Sequence, residues 1–203
     1  MLAREALLWA ALPAALALWV QIAAPHALWA LPLWLLAALV LFLFRDPERE
    51  VPPHPLGVVA PADGRVERIE GEAADPFLER TARRIVIRMR PWGPFVVRAP
   101  IEGRVVERWL RPCAEGGCGR RYAIWLQTDE KDDVVLVLDE PARWRRPVCL
   151  TGVGERVGQG QRCGYVRFGG RVEVWVPRNA RLDVGPGSRV RAGSTILATL
   201  VHD

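Results

Sequence analysis

The chain has 203 residues, half of them hydrophobic, with 28 basic side chains against 23 acidic ones and a formal charge of +5. That length holds one domain plus something smaller. The basic balance asks for an anionic partner; no nucleic-acid-binding motif is present, so nucleic acid is set aside in favour of phospholipid head groups.

From Ala6 to Phe44 no residue is charged, and Ala24-Pro25-His26 divides the run into two apolar stretches. Each has roughly 18 residues, near what a helix needs to cross hydrocarbon. The pattern predicts a transmembrane helical hairpin over residues 1–44, with Trp9, Trp19, Trp29 and Trp34 in an aromatic belt or packed on lipid. A re-entrant pair and a soluble core hairpin are the alternatives. A cleavable signal peptide would have a shorter apolar region followed by a cleavage site. Arg4 precedes the first span and Arg45 and Arg49 follow the second. Both ends then belong on the cytoplasmic side, which predicts an inner-membrane protein with its remaining domain in the cytoplasm.

Residues 45–57 read as a stiff linker, because Pro52-Pro53-His54-Pro55 favours extended chain. Beyond it, residues 58–203 carry Pro and Gly at short intervals between runs of Val, Ile and Arg. RIVIRM (84–89), YAIWLQT (122–128), VVLVLD (134–139) and RVEVWVP (171–177) predict strands by alternation and β-branching. A short helix is expected around Pro76–Ala82, and the domain as a whole is expected to be mainly β.

Two internal echoes refine that expectation. Ala60-Pro61-Ala62-Asp63-Gly64-Arg65-Val66 recurs as Ala99-Pro100-Ile101-Glu102-Gly103-Arg104-Val105. Gly154, Val157, Gly160 and Cys163 recur at the same spacing as Gly187, Val190, Gly193 and Ile196. Such Val/Gly pairs build a barrel-sandwich of the lipoyl-carrier kind, glycine turning the chain and valine filling the core. A carrier needs a lysine at a hairpin tip, whereas Lys131 lies in an acidic loop outside both repeats, so that function is excluded.

Cys113 and Cys118 are separated by four residues, within zinc-ligand spacing, and Cys149 and Cys163 could complete a site. No paired C-x-x-C supports this, and His26, His54 and His202 are poorly placed, so no metal is expected. Cytoplasmic thiols stay reduced, which leaves ordinary cysteines or a labile 113–118 disulfide.

Four blocks in order carry a family resemblance: LFRDPERE (43–50), VVAPADGRV (58–66), FVVRAPIEGRV (95–105) and GQGQRCGYVRFGGRVEVWVP (158–177). Together they resemble the short bacterial and archaeal type of phosphatidylserine decarboxylase. The resemblance implies a β domain of that type and the conversion of phosphatidylserine to phosphatidylethanolamine and CO2. It also implies a pyruvoyl group, made when the serine of a Gly-Ser pair attacks the preceding peptide bond. A histidine and an aspartate of the family are thought to activate that serine. Here the serine position is Gly170, the histidine position is Phe95, and the aspartate is retained as Asp63. Glycine has no Oγ and phenylalanine moves no proton. The segment RPCAEGGCGRRYAI (111–124) is also shorter than the family's corresponding loop and lacks its Asn-Glu-Arg.

Two other residues are candidate precursors. Ser194 follows Gly193 as in the cleavage site of longer decarboxylases, but it sits on the second Val/Gly repeat; Cys163 occupies a core position. The resemblance therefore implies a membrane-anchored family protein of phospholipid metabolism without its own pyruvoyl group or another cofactor. Its implied partners are the phospholipid membrane and its anionic head groups, with an active paralogue or a homo-oligomer possible. Two alternatives stay open: an active decarboxylase of phosphatidylserine or a related phosphoserine lipid using another precursor, and a non-enzymatic membrane-anchored β scaffold.

Overall fold

The computed structural model describes residues 4–23, 30–43, 49–91, 93–112, 119–140, 147–166 and 169–201. They fall into two compact units, Met1–Glu48 and Arg49–Asp203.

The first unit pairs helix α1 (Arg4–Ala23) with helix α2 (Leu31–Leu43). Ala10 and Ala17, then Ala30 and Ala37, are buried at seven-residue spacing, so small side chains let the two backbones approach. The outer faces leave Leu12, Trp19, Ile22, Leu35 and Phe42 exposed. The expected transmembrane hairpin does not form: among the described residues no helix is long and apolar enough to cross a membrane. Helix α2 has 13 residues, about 20 Å at 1.5 Å per residue against the ~30 Å of a hydrocarbon core. Helix α1 begins on Arg4 and Glu5 and contains Pro13 and Gln21. The inner-membrane anchoring and cytoplasmic orientation inferred from a spanning hairpin fall with it.

The second unit is all β. In chain order its strands are β1 (Gly57–Val59), β2 (Gly64–Asp75), β3 (Arg80–Met89), β4 (Val96–Arg98), β5 (Gly103–Pro112), β6 (Arg120–Gln127) and β7 (Asp133–Glu140). These are followed by β8 (Val148–Cys149), β9 (Arg156–Val157), β10 (Arg162–Tyr165), β11 (Arg171–Pro177), β12 (Arg181–Leu182), β13 (Arg189–Val190) and β14 (Ile196–Thr199). The four runs singled out by alternation lie on β3, β6, β7 and β11, with Thr128 alone falling past the end of β6. The helix expected around Pro76–Ala82 is absent. Instead Asp75 ends β2, its Oδ1 accepts the Phe77 amide at 2.8 Å, and β3 starts at Arg80. A short polar side chain capturing the amide two residues on makes a turn where a helix would have started.

One eight-stranded antiparallel sheet, in the order β13-β2-β3-β11-β7-β6-β5-β9, forms the wall. Two three-stranded sheets, β1-β14-β12 and β4-β10-β8, complete the unit. This is a curled half-barrel closed by two small sheets rather than a sandwich of two like sheets. The period of two sorts the side chains. Val134, Leu136 and Leu138 of β7 enter the main core with Val58, Val97, Cys163 and Leu197 of the small sheets. Val135 and Val137 point the other way, into a second cluster with Phe77, Ala82, Ala123 and Trp175.

The internal echoes are structural repeats. Gly193 N donates to Ala60 O at 2.8 Å and Gly160 N to Ala99 O at 2.9 Å. Gly187 N donates to Val66 O at 2.8 Å and Gly154 N to Val105 O at 2.7 Å. The halves also exchange bonds, Arg98 N to Pro61 O and Val59 N to Pro100 O, each 2.8 Å. Reciprocal pairs of this kind relate the halves by an approximate two-fold, with β13-β2-β3-β11 answering β9-β5-β6-β7. Gly160 and Gly193 meet near that axis with φ of 69° and 73°. A Cβ on either would lie 3.6 Å from the other's Cα, and on Gly160 it would also meet Val51 at 2.5 Å. Left-handed backbone and close approach both require glycine there.

Candidate functional site

Two of the three positions singled out in the sequence, Asp63 and Gly170, meet at the C-terminal end of β3, and Phe95 is linked to Gly170 through Val166. Met89 N donates to Gly170 O at 2.9 Å, and Arg90 N donates to Asp63 O at 3.3 Å. Consecutive amides thus hold the Asp63 turn and the segment leading into β11. Val166 makes the third link: its amide donates to Phe95 O at 2.8 Å, and its Cγ1 lies 3.3 Å from where a Gly170 Cβ would be.

Asp63 has both carboxylate oxygens engaged. Oδ2 accepts from Arg49 at 2.8 Å, and Oδ1 accepts the Ala192 amide at 2.7 Å. The carboxylate therefore ties the start of the β unit to the turn before β14. Arg49 was read in the sequence only as positive charge; its pairing with a residue fourteen positions on is a tertiary fact that spacing does not reveal.

Phe95 is 1% exposed and among the largest fully buried side chains. An apolar ring suits that place, since a buried imidazole would require hydrogen-bond partners. Gly169 carries φ of 69°, whereas Gly170 does not need left-handed backbone. Arg167 and Phe168 lie outside the described residues, as do residues 113–118 of the 111–124 segment, with Cys113 and Cys118 among them. Ser194 sits in the turn before β14, where Thr195 N donates to Arg191 O at 3.1 Å. Cys163 is 4% exposed, its thiol pointing at Val97 O at 3.5 Å. Burial pushes that thiol far above the ordinary range, so it is no nucleophile. Among the described residues no three metal-ligating side chains cluster.

A feature the sequence reading missed lies beside this end of the sheet. Glu173 is 0% exposed and accepts from Arg84 Nε at 3.0 Å, from Arg121 at 3.1 Å and from Trp175 Nε1 at 3.3 Å. Arg121 also lies 3.4 Å from Asp139. Burial, with the Glu173 charge, pushes the Asp139 carboxyl up to about 6 against the pull of Arg121, Arg171 and Arg84. The Asp139 carbonyl is 3.8 Å from the position of a Gly170 Cβ. Alternation marked β11 as a strand; it could not show that arginines from β3 and β6 bury beside Glu173.

Comparison with known proteins agrees with the blocks. Residues 36–198 match the phosphatidylserine decarboxylase family. A phosphatidylserine decarboxylase proenzyme of Nitrosomonas eutropha is 38% identical over 178 residues, covering 84% of this chain and 82% of the relative. One from Aromatoleum aromaticum is 38% identical over 208 residues, covering 98% and 96%. One from Cupriavidus pinatubonensis is 38% identical over 181 residues, covering 85% and 83%. No solved structure matches the chain. A family match spanning four fifths of the sequence, on the fold just described, leads to one conclusion: the chain belongs to the phosphatidylserine decarboxylase family.

Proposed function

We propose that this chain serves phospholipid metabolism as a decarboxylase-family protein that keeps the fold and the head-group site but makes no pyruvoyl group of its own. The family's reaction, phosphatidylserine to phosphatidylethanolamine and CO2, defines the class of lipid it handles. A pyruvoyl group supplies a carbonyl that condenses with the substrate amine and accepts electrons as CO2 leaves. The residues here do not fit its formation. Self-cleavage needs an Oγ to attack the carbonyl of residue 169, and Gly170 has no side chain. It also needs a base to take the hydroxyl proton, and the family's histidine position is Phe95, a buried ring that takes no proton.

The single observation that carries this reading is Gly170, held against β3 by the Met89 amide and carrying no side chain that could react. Asp63 then acts as a structural carboxylate bound to Arg49 and Ala192. A protein of this kind binds aminophospholipid head groups by itself or as partner to an active relative.

The test is the intact mass of the purified protein, together with conversion of phosphatidylserine. One species of 22.7 kDa and no phosphatidylethanolamine are expected. A blocked fragment starting anywhere between 160 and 196, or turnover by the purified chain, would refute the proposal in favour of a different precursor residue.

A further inference from the structure

Strand register places four arginines side by side across the outer face of the wall. Arg189 on β13 pairs with Arg65 on β2, Arg65 with Arg88 on β3, and Arg88 with Arg171 on β11. Their neighbours Gly64, Val66, Val172 and Val190 point into the protein, so the guanidinium groups share the solvent side. Like charges directly opposite on adjacent strands destabilise a sheet. One carboxylate offsets them. Glu67 lies where the β2–β3 register slips between Val66 and Arg68. It takes Arg88 at 2.8 Å and Arg171 at 3.4 Å. Among the described residues no carboxylate pairs with Arg65, Arg189 or the adjoining Arg90.

The duplicated half shows that the scaffold does not require this row. The corresponding positions there are Arg156, Arg104, Gln127 and Asp133, in register across β9, β5, β6 and β7. In that copy Arg156 is held by Glu102 at 3.2 Å and Asp129 at 2.6 Å, and Gln127 donates to Asp133 at 2.8 Å. The same fold thus runs from cation to anion at one end and remains cationic throughout at the other. The cationic end borders a cleft of about 390 Å³ lined by Arg65, Arg88, Met89, Arg90, Pro91 and Arg189. Two of its lining residues, Met89 and Arg90, are those whose amides hold Gly170 and Asp63.

We propose that this cleft binds the phosphate of a phospholipid head group, with Arg65, Arg90 and Arg189 as its donors and Arg88 shared with Glu67. Guanidinium groups match phosphate oxygens in charge and fork geometry, and a phosphate supplies the missing counter-charge. The inference rests on the proposed function only for the choice of a lipid ester as the carrier of that phosphate.

Titration calorimetry of the full chain at low salt, with dihexanoyl phosphatidylserine below its micellar concentration, tests the assignment. The double variant Arg65→Gln, Arg189→Gln alters two exposed side chains and should weaken binding about ten-fold or more. Arg156→Gln, the same change in the duplicated row, should leave affinity within about two-fold. Thermal unfolding of each variant separates lost binding from lost fold. Unchanged affinity in the double variant, or an equal loss in Arg156→Gln, overturns the site. Inorganic phosphate binding as tightly as the lipid overturns the head-group assignment, and so does an RNA duplex that displaces the lipid. Self-cleavage detected by intact mass would refute the proposed function and leave this binding result standing.

Discussion

Restoring a serine at Gly170 separates loss of the nucleophile from loss of the base. A Cβ at that position would lie 3.3 Å from Val166 Cγ1 and 3.8 Å from Asp139 O, so Gly170→Ser fits with a small shift of one methyl group. Replacing glycine where the backbone is compatible stabilises a fold by about 0.4–1 kcal/mol through the unfolded chain, and the variant should remain folded. On the proposed reading its hydroxyl is without the family's histidine as proton acceptor, the resemblance placing Phe95 there. The missing transfer costs ~10²–10⁴-fold in rate, or about 3–5 kcal/mol of barrier. Phe95→His combined with Gly170→Ser should recover part of that factor. Asp63 already accepts one bond on each oxygen, but a carboxylate oxygen has a second lone pair, so an imidazole N–H can be accepted without displacing Arg49 or Ala192. Intact mass followed over days should show the single variant uncleaved and the double variant slowly split after Gly169. Appreciable cleavage of Gly170→Ser alone would mean that no histidine is needed, and the role given to Phe95 would be withdrawn.

The buried charges give two further expectations. Glu173→Gln leaves Arg84 and Arg121 facing a neutral group in a dry interior and should cost about 3–5 kcal/mol in urea unfolding; a loss below ~1 kcal/mol would show the network to be well hydrated. Asp139 has its carboxyl raised from 3.8 to about 6 in the folded protein, so the folded state binds that proton more tightly than the unfolded one. Its contribution to stability is complete below about pH 3.8 and is lost as pH rises through 6. Asp139→Asn should therefore gain on the wild type between pH 4 and pH 8, by up to about 3 kcal/mol, with a plateau above pH 7. A difference that does not vary with pH would remove burial as the cause.

Much of the β unit was legible because its signals are local. Alternation in residues 84–89, 122–128, 134–139 and 171–177 marks strands, and the spacing of Gly154, Gly160, Gly187 and Gly193 marks paired turns. The echo of Ala60–Val66 in Ala99–Val105 pointed to repetition, but its consequence, an eight-stranded wall with a two-fold, depends on which strands become neighbours. Hydropathy misled at the N-terminus. An uncharged run from Ala6 to Phe44 gives a length in sequence, whereas helix α2 has 13 residues and reaches only part of the distance. Around Pro76–Ala82 the Asp75 side chain decided the turn. The site positions came from the resemblance, while the bonds of Gly170 and Asp63 to Met89 and Arg90 came from the fold. The arginine row was invisible in sequence, since its members lie up to 124 positions apart and only register aligns them.

The duplication also separates what builds the fold from the positions that the resemblance singles out. The bonds that build the wall recur in both halves: Gly193 to Ala60 and Gly160 to Ala99, Gly187 to Val66 and Gly154 to Val105. None of them passes through the side chains of Gly170 or Phe95. At the Asp63 position the other half has Glu102, an exposed residue that pairs with Arg156, so the turn tolerates a different acid with different partners. What distinguishes the cationic end is therefore not demanded by folding. Phe95 buries an apolar ring where the resemblance implies a histidine, which favours stability. The arginine row does the reverse, placing like charges together at a cost to the sheet. A cationic cleft in which Arg65, Arg90 and Arg189 have no paired carboxylate among the described residues is the physical reason to seek a bound phosphate ester here.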